Sequence, residues 1–165
     1  MDDYVKLAYD AIKYYLENKT YLRDFDEKFK KNSNGIRIEI KINGRLKGIS
    51  GSIFPTRKNL GLDIVHEAVN AGFFDLKFNP ITKDNLKDLE IIVFEYFDVE
   101  KLRFIEDFKD YDGIMLSFME ENYYVYRKDF DSDIKMLEKA LEISNVDSWD
   151  NFSIDKFRMK IHKWI

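Results

Sequence analysis

Residues 36–52 read IRIEIKINGRLKGISGS, and they form the most clearly patterned element of the chain. Isoleucine occupies every second position from 36 to 42 and charged residues stand between, which is the period of a β-strand with one buried face. Asn43-Gly44 follows at once and favours a type I′ turn, because both central residues of that turn need positive φ. The stretch therefore predicts a β-hairpin whose second strand runs from Arg45 to about Phe54.

Glycines interrupt this second strand at positions 48 and 51. A glycine inside a strand is typical of a bulge or of another element packed against bare backbone. Two interpretations are open: the exposed amides and polar side chains bind an anionic ligand or a partner chain, or the glycines only permit tight packing. No Gly-Lys-Ser/Thr sequence follows, so the segment is not a Walker phosphate loop. The candidate binding residues are Arg45, Lys47, Gly48, Ser50, Gly51 and Ser52.

A second candidate segment precedes Pro80, where the sequence becomes irregular. Asp75 and Lys77 would place two opposite charges at a cleft, beside Phe78. In the alternative interpretation, Asp75 caps a turn, Lys77 is solvated and Phe78 belongs to the core. We predict that this segment and the glycine segment form one wall of a binding site.

The remaining pattern predicts an α+β domain with mostly antiparallel sheets and flanking helices. A hairpin, a helix and a strand follow one another in residues 36–97 and again in 113–164, which suggests an internal structural repeat. The other predicted elements are a helix over 3–17, a helix over 56–72, a short turn after Thr82, a buried strand over 89–97, a hairpin of 113–118 and 123–127, a helix capped by Ser132 with Ile134 among its apolar positions, and a closing strand from Phe157.

Composition narrows the classes of function. The chain has 165 residues, of which 45% are hydrophobic, and we predict a single domain over 1–165. The absence of cysteine excludes disulfides, thiolate catalysis and cysteine-ligated zinc. A net charge of −4 argues against a general nucleic-acid binder. We expect a cytoplasmic protein without a membrane partner, because no apolar run is long enough to span a bilayer and no signal-peptide pattern opens the chain.

Both histidines are interpreted as surface residues. His66 lies on one helical stripe with Asp63, Glu67 and Asn70, and the second histidine of a metalloprotease motif is absent, so we predict a solvated face and no metal or cofactor. His162 lies in a closing strand with a basic outer face, where charges discourage edge-to-edge pairing. The acidic run from Glu95 to Asp112 is interpreted as a solvated connector.

The chain resembles the AMMECR family, whose prokaryotic members are called protein A of the AmmeMemoRadiSam system. Leu46-Lys47-Gly48-Ile49-Ser50-Gly51 is similar to the family pattern L-R-G-C-I-G, and Asp75-x-Lys77-Phe78-x-Pro80 is similar to D-P-R-F-x-P. The chain departs from both patterns, with isoleucine in place of the family cysteine and lysine in place of each arginine. It is therefore interpreted as a divergent member.

The resemblance implies an α+β domain of two unequal lobes with the glycine motif near a cleft. Family members lack an established activity, and the system's name associates them with a Memo-type protein and a radical-SAM enzyme. The implied function is a binding or accessory module, with these two proteins as partners. Two alternatives stay open: a small enzyme using Lys47, Asp75 or a histidine in acid–base chemistry, and an RNA-associated factor that binds through residues 158–163.

Overall fold

The computed structural model describes residues 2–103 and 110–164. It contains three α-helices, α1 (Asp3–Asn18), α2 (Leu60–Val69) and α3 (Asp133–Ser144). Six strands form one antiparallel sheet: β1 (Ile36–Ile42), β2 (Arg45–Gly51), β3 (Leu89–Lys101), β4 (Gly113–Phe118), β5 (Glu121–Tyr126) and β6 (Ser153–Lys163). Their order in the sheet is β2-β1-β3-β6-β4-β5. This confirms the predicted α+β class with mostly antiparallel pairing.

Contacts divide the chain into two compact units of unequal size, Met1–Glu95 with Lys160–Ile165, and Tyr96–Met159. In the larger unit, α1 and α2 pack against β1 and the first half of β3 around a core of aliphatic side chains. In the smaller unit, α3 packs on β4 and β5 around a separate core. Burial of these apolar faces is the main source of stability in each unit.

The two units share one pattern of strand pairing. β1 pairs with β2 on one side and with β3 on the other. In the same way, β4 pairs with both β5 and β6. Hairpin, helix and strand therefore recur in the same order and with the same pairing, as the sequence suggested.

The first hairpin forms as predicted. Asn43 and Gly44 have φ of 51° and 72°, which are the left-handed values that a type I′ turn requires. Ile40 pairs with Gly48 while Lys41 pairs with Leu46, so Lys47 is an extra residue in β2. The predicted bulge is thus confirmed, and it lies at Lys47.

Some predicted boundaries are wrong. The second helix begins at Leu60 rather than at Thr56, because the Asn59 side chain accepts the Leu62 amide at 2.9 Å and caps the helix there. It continues as a π-helical segment, Asn70–Phe74, instead of ending at Gly72. Ser132 caps α3 as predicted, but Ile134 is 59% exposed, since the helix turns Met136 toward the core instead.

The second hairpin and the acidic connector also differ from prediction. The turn of the second hairpin is only two residues long, with positive φ at Met119 and Glu120. β3 continues through Lys101, so the first part of the predicted connector is strand. Residues 104–109 of that connector lie outside the described residues. Among the described helices, none has the length and apolar character needed to cross a membrane.

Candidate functional site

β2 is an edge strand of the sheet, and the π-helical segment packs directly against it. A Cβ atom added at Gly48 would lie 1.8 Å from the carbonyl oxygen of Ala71, so only glycine allows this approach. Gly51 has φ of +114° and would meet the Ile36 carbonyl oxygen at 2.0 Å. These two glycines therefore have a packing role, as one of the two interpretations from the sequence requires.

Asp75 ties its segment to the glycine segment. One carboxylate oxygen accepts the Ile49 backbone amide at 3.0 Å, and the other accepts the Lys77 amide at 3.1 Å. An edge strand exposes amides that have no neighbouring strand, and Asp75 satisfies one of them. The structure therefore brings the two predicted segments together through a carboxylate that also shapes a turn, whereas Lys77 is exposed and Phe78 is half-buried.

We expect Asp75→Ala to lower the free energy of unfolding by about 1–2 kcal/mol, because the Ile49 amide loses its acceptor. Urea denaturation measures this loss. Lys77→Ala is the control, and its effect should stay within about 0.5 kcal/mol because the side chain is exposed. Equal losses in the two variants would show that the Ile49–Asp75 bond contributes nothing.

A groove of about 670 Å³ opens beside the bulge. It lies between the hairpin and the segment that follows the π-helix, and its lining residues are Ile42, Asn43, Arg45, Lys47, Asn79, Pro80, Ile81, Thr82 and Asn85. None of these side chains carries a carboxylate. Among the described residues, neither Arg45 nor Lys47 forms an ion pair.

The other predicted binding residues lie away from this groove. The Ser50 hydroxyl makes a short hydrogen bond to Glu67 of α2, so it faces the helix as Gly48 does. The Ser52 hydroxyl accepts the Phe54 amide at 3.2 Å and stabilises the bend after β2. Of the predicted residues, Arg45 and Lys47 are thus the two that line the groove.

The prediction of a solvated polar face on α2 is wrong for its two carboxylates. Asp63 is 1% exposed and Glu67 is 6% exposed, because β2 and the loop after it cover this side of the helix. The Thr56 hydroxyl lies 2.8 Å from Asp63 Oδ1 and 3.3 Å from Glu67 Oε1. The sequence signal that could have found them is their spacing of four residues, which places both on one face.

His66 is half-buried, and its ring stacks on Tyr21 with centroids 4.0 Å apart. Burial lowers the pKa of His66 below its ordinary 6.5, and the nearby Arg57 charge lowers it further. The imidazole therefore favours its neutral form.

The interpretation of His162 as a surface residue is also wrong, since it is only 3% exposed. Its Nδ1 lies 2.9 Å from Asp2 Oδ2 and its Nε2 lies 3.2 Å from Glu95 Oε2. The ring stacks on Tyr4 with centroids 3.8 Å apart. Glu95, at the start of the predicted solvated connector, is buried as well.

Hydrogen bonds control the charge of this buried cluster. Burial alone would lower the pKa of His162, but hydrogen bonds to Glu95 and Asp2 outweigh it and hold that pKa above 6.5. Burial and the Glu95 carboxylate raise the pKa of Tyr4 to about 12. Asp2, Glu95 and His162 therefore form a buried hydrogen-bonded network inside the larger unit, in which His162 holds its proton to a higher pH than a free imidazole.

No three His, Asp or Glu side chains come together as a metal site in residues 2–103 and 110–164.

The fold and the glycine-edged hairpin define an α+β domain with an open polar groove. The AMMECR1 family model matches residues 5–125. The chain belongs to the AMMECR1 family, and this confirms the resemblance given by its two motifs.

Several known proteins are similar to this chain. Protein CA_C1420 of Clostridium acetobutylicum is 29% identical over 98% of the chain, which spans only 36% of that relative. A protein of Thermotoga maritima is 31% identical over 54% of the chain, which covers 54% of that protein. The crystal structure of the uncharacterised protein PH0010 from Pyrococcus horikoshii has a TM-score of 0.74, with 17% identity, 98% of this chain covered and 91% of the other. The latter similarity establishes the fold alone.

Proposed function

We propose that this AMMECR1-family chain is a binding module, accessory to a Memo-type protein and a radical-SAM enzyme, and that its groove holds an acidic segment of the partner. The observation that supports this best is the pair of cationic groove residues, Arg45 and Lys47, without any carboxylate in the lining. The chain as a whole carries a net charge of −4, so the positive charge of the groove is opposite in sign to the net charge of the chain. Complementary charge favours association and suppresses wrong partners.

The period of the strand explains how the two cations come to the same groove. Side chains two residues apart lie on the same face of a strand, so Arg45 and Lys47 both line the groove. Because Lys47 is an extra residue, the following residue, Gly48, pairs with Ile40 and packs against the π-helical segment. Asn43 and Asn79 add amide groups that suit an extended peptide backbone, whereas the Asn85 side-chain oxygen accepts the Thr82 amide and hydroxyl.

The length of one relative supports a domain that works together with other protein regions. This chain spans about a third of the Clostridium relative, so most of that protein lies outside the matched region. In that relative, the domain is joined covalently to further sequence.

The enzyme alternative has less support. Its candidate base Asp75 accepts two backbone amides and already has a structural role. The groove beside Lys47 is open, whereas acid–base catalysis benefits from a site that excludes water. His162, which has a shifted pKa, is buried among its own partners and does not line the groove.

The contacts of the closing strand give little support to the alternative that this chain binds RNA. His162 is buried, and Arg158 lies 3.7 Å from Asp98 Oδ2 while its Nε donates to the Asp110 carbonyl oxygen at 3.1 Å. The expected basic outer face is thereby reduced, and the −4 net charge opposes a phosphate backbone.

Charge reversal in the groove tests the proposal. We expect Arg45→Glu combined with Lys47→Glu to reduce capture of the Memo-type or radical-SAM protein at least tenfold, because like charges would then face the partner. The measurement is a pull-down with the full chain at native level, read by mass spectrometry. Lys13→Glu, on an exposed part of α1, is the matched control and should capture as much as the wild type. Capture unchanged by the double reversal would contradict the proposal.

A further inference from the structure

Four oxygen-bearing side chains from three parts of the larger unit converge beside the glycine motif. Ser50 comes from β2, Thr56 from the following loop, and Asp63 and Glu67 from consecutive turns of α2. The Ser50 hydroxyl donates to Glu67 Oε2, and the Thr56 hydroxyl lies between the two carboxylates. We call these four side chains the oxygen cluster.

Neither carboxylate of the oxygen cluster forms an ion pair with a lysine, arginine or histidine among the described residues. Both carboxylates are more than nine-tenths buried. Desolvation of an unpaired carboxylate is strongly unfavourable, and two of them share one small volume. A positive species bound between them would offset this cost.

Hydrogen-bond counting distinguishes a proton from a larger cation. The Thr56 backbone amide donates to Asp63 Oδ1 at 3.2 Å, and the single hydroxyl proton of Thr56 can be donated either to the same oxygen or to Glu67 Oε1. A proton added at Glu67 Oε1 would satisfy the contact with Thr56. It would still leave Asp63 Oδ2, a buried oxygen that has no hydrogen-bond donor among the described residues.

We propose that the oxygen cluster binds a hard divalent cation of the Mg²⁺ or Ca²⁺ class. Such cations take both carboxylate and neutral oxygen ligands, and the cluster offers no softer donor. A bound cation would join β2 to α2 at Ser50, between the two packing glycines.

The experiment uses the full chain, stripped with chelator, and Mn²⁺ as the probe. Electron paramagnetic resonance measures the binding of Mn²⁺, and calorimetric scans with and without Mg²⁺ measure the melting temperature. We expect saturable binding of one Mn²⁺ per chain, a higher melting temperature with cation, and at least a tenfold loss of Mn²⁺ affinity in Asp63→Asn. Glu17→Gln, at an exposed position of α1, is the control and should bind like the wild type.

A second variant keeps the test decisive if Asp63→Asn fails to fold. Glu67→Gln removes the other carboxylate charge with little change in shape, and it should lose affinity similarly. The proposal is overturned by an absence of saturable Mn²⁺ binding in the wild type, or by affinity that both variants retain. It is also overturned if infrared spectra of the stripped and cation-loaded wild type show the same carboxylic-acid band, lost in Glu67→Gln, because a proton then occupies the cluster.

Discussion

Gly48→Ala is expected to lower the free energy of unfolding by about 3 kcal/mol, at the upper end of the cost of overpacking. The new methyl carbon would lie 1.8 Å from the Ala71 carbonyl oxygen, far inside van der Waals contact. The obstacle is backbone, so no rotamer change can relieve it. Urea denaturation followed by circular dichroism measures the loss.

Gly72→Ala is the matched control for this prediction. Gly72 lies in the same π-helical segment, but a Cβ there would be 3.5 Å from its nearest neighbour, an Ile81 side-chain carbon. Its φ is not in the left-handed region, and replacing a glycine whose conformation suits alanine usually costs little or stabilises. The close approach of β2 to the π-helix would be refuted if both alanine variants unfolded at the same urea concentration.

The packing role of the glycine motif clarifies the divergence of this chain from its family pattern. Ile49 stands where the family has cysteine, yet its contact with Asp75 uses the backbone amide and is independent of the side chain. Lys47 stands where the family has arginine, and it lines the groove. Lysine keeps the charge but loses the planar fork that binds a carboxylate through two hydrogen bonds. In the binding module proposed above, the substitution should therefore alter partner selection rather than folding.

Features that depend on local backbone geometry were predictable from the sequence. The Asn43-Gly44 turn follows from the positive φ that two consecutive residues must adopt. The bulge follows from glycine within a strand, although its exact position at Lys47 depends on the register with β1. The Ser132 cap follows from an oxygen acceptor placed just before a helical pattern.

Features that depend on distant partners were not predictable. The polar stripe of α2 resembles a solvated face, and only the packing of β2 and its loop shows that Asp63 and Glu67 are buried. His162 shares the period of Arg158 and Lys160 in the sequence, which predicts a basic outer face, yet its hydrogen-bond partner Asp2 is 160 positions away. Periodicity reports which residues share a face, but it does not report what covers that face.

His162→Phe is expected to lower the free energy of unfolding by about 3 kcal/mol near pH 6, because it leaves buried Glu95 without its cationic partner. Asp2 would lose the same partner. Within the described residues, the Tyr4 hydroxyl, 3.4 Å from Glu95 Oε1, would then be the one remaining hydrogen-bond donor to the Glu95 side chain. Thermal and urea unfolding of the variant and the wild type measure the difference. A difference below about 0.5 kcal/mol at pH 6 would mean that the buried hydrogen-bonded network contributes nothing to stability.

The pH dependence gives the sharper test, because the two histidines of this chain act with opposite sign. The folded-state pKa of His162 is raised above 6.5, so its contribution is fully present below pH 6.5 and is lost as pH rises through the folded value. The folded-state pKa of His66 is lowered, so its contribution to stability is lost as pH falls below 6.5.

Measurements in a His66→Gln background remove the opposing slope of His66, and Tyr4, with a pKa of about 12, does not titrate below pH 9. We expect the free energy of unfolding of His66→Gln to fall between pH 6 and pH 9, and that fall to disappear when His162→Phe is added. A flat profile in the single variant would show that His162 is neutral in the folded protein, and the network would then be held by hydrogen bonds without a charge.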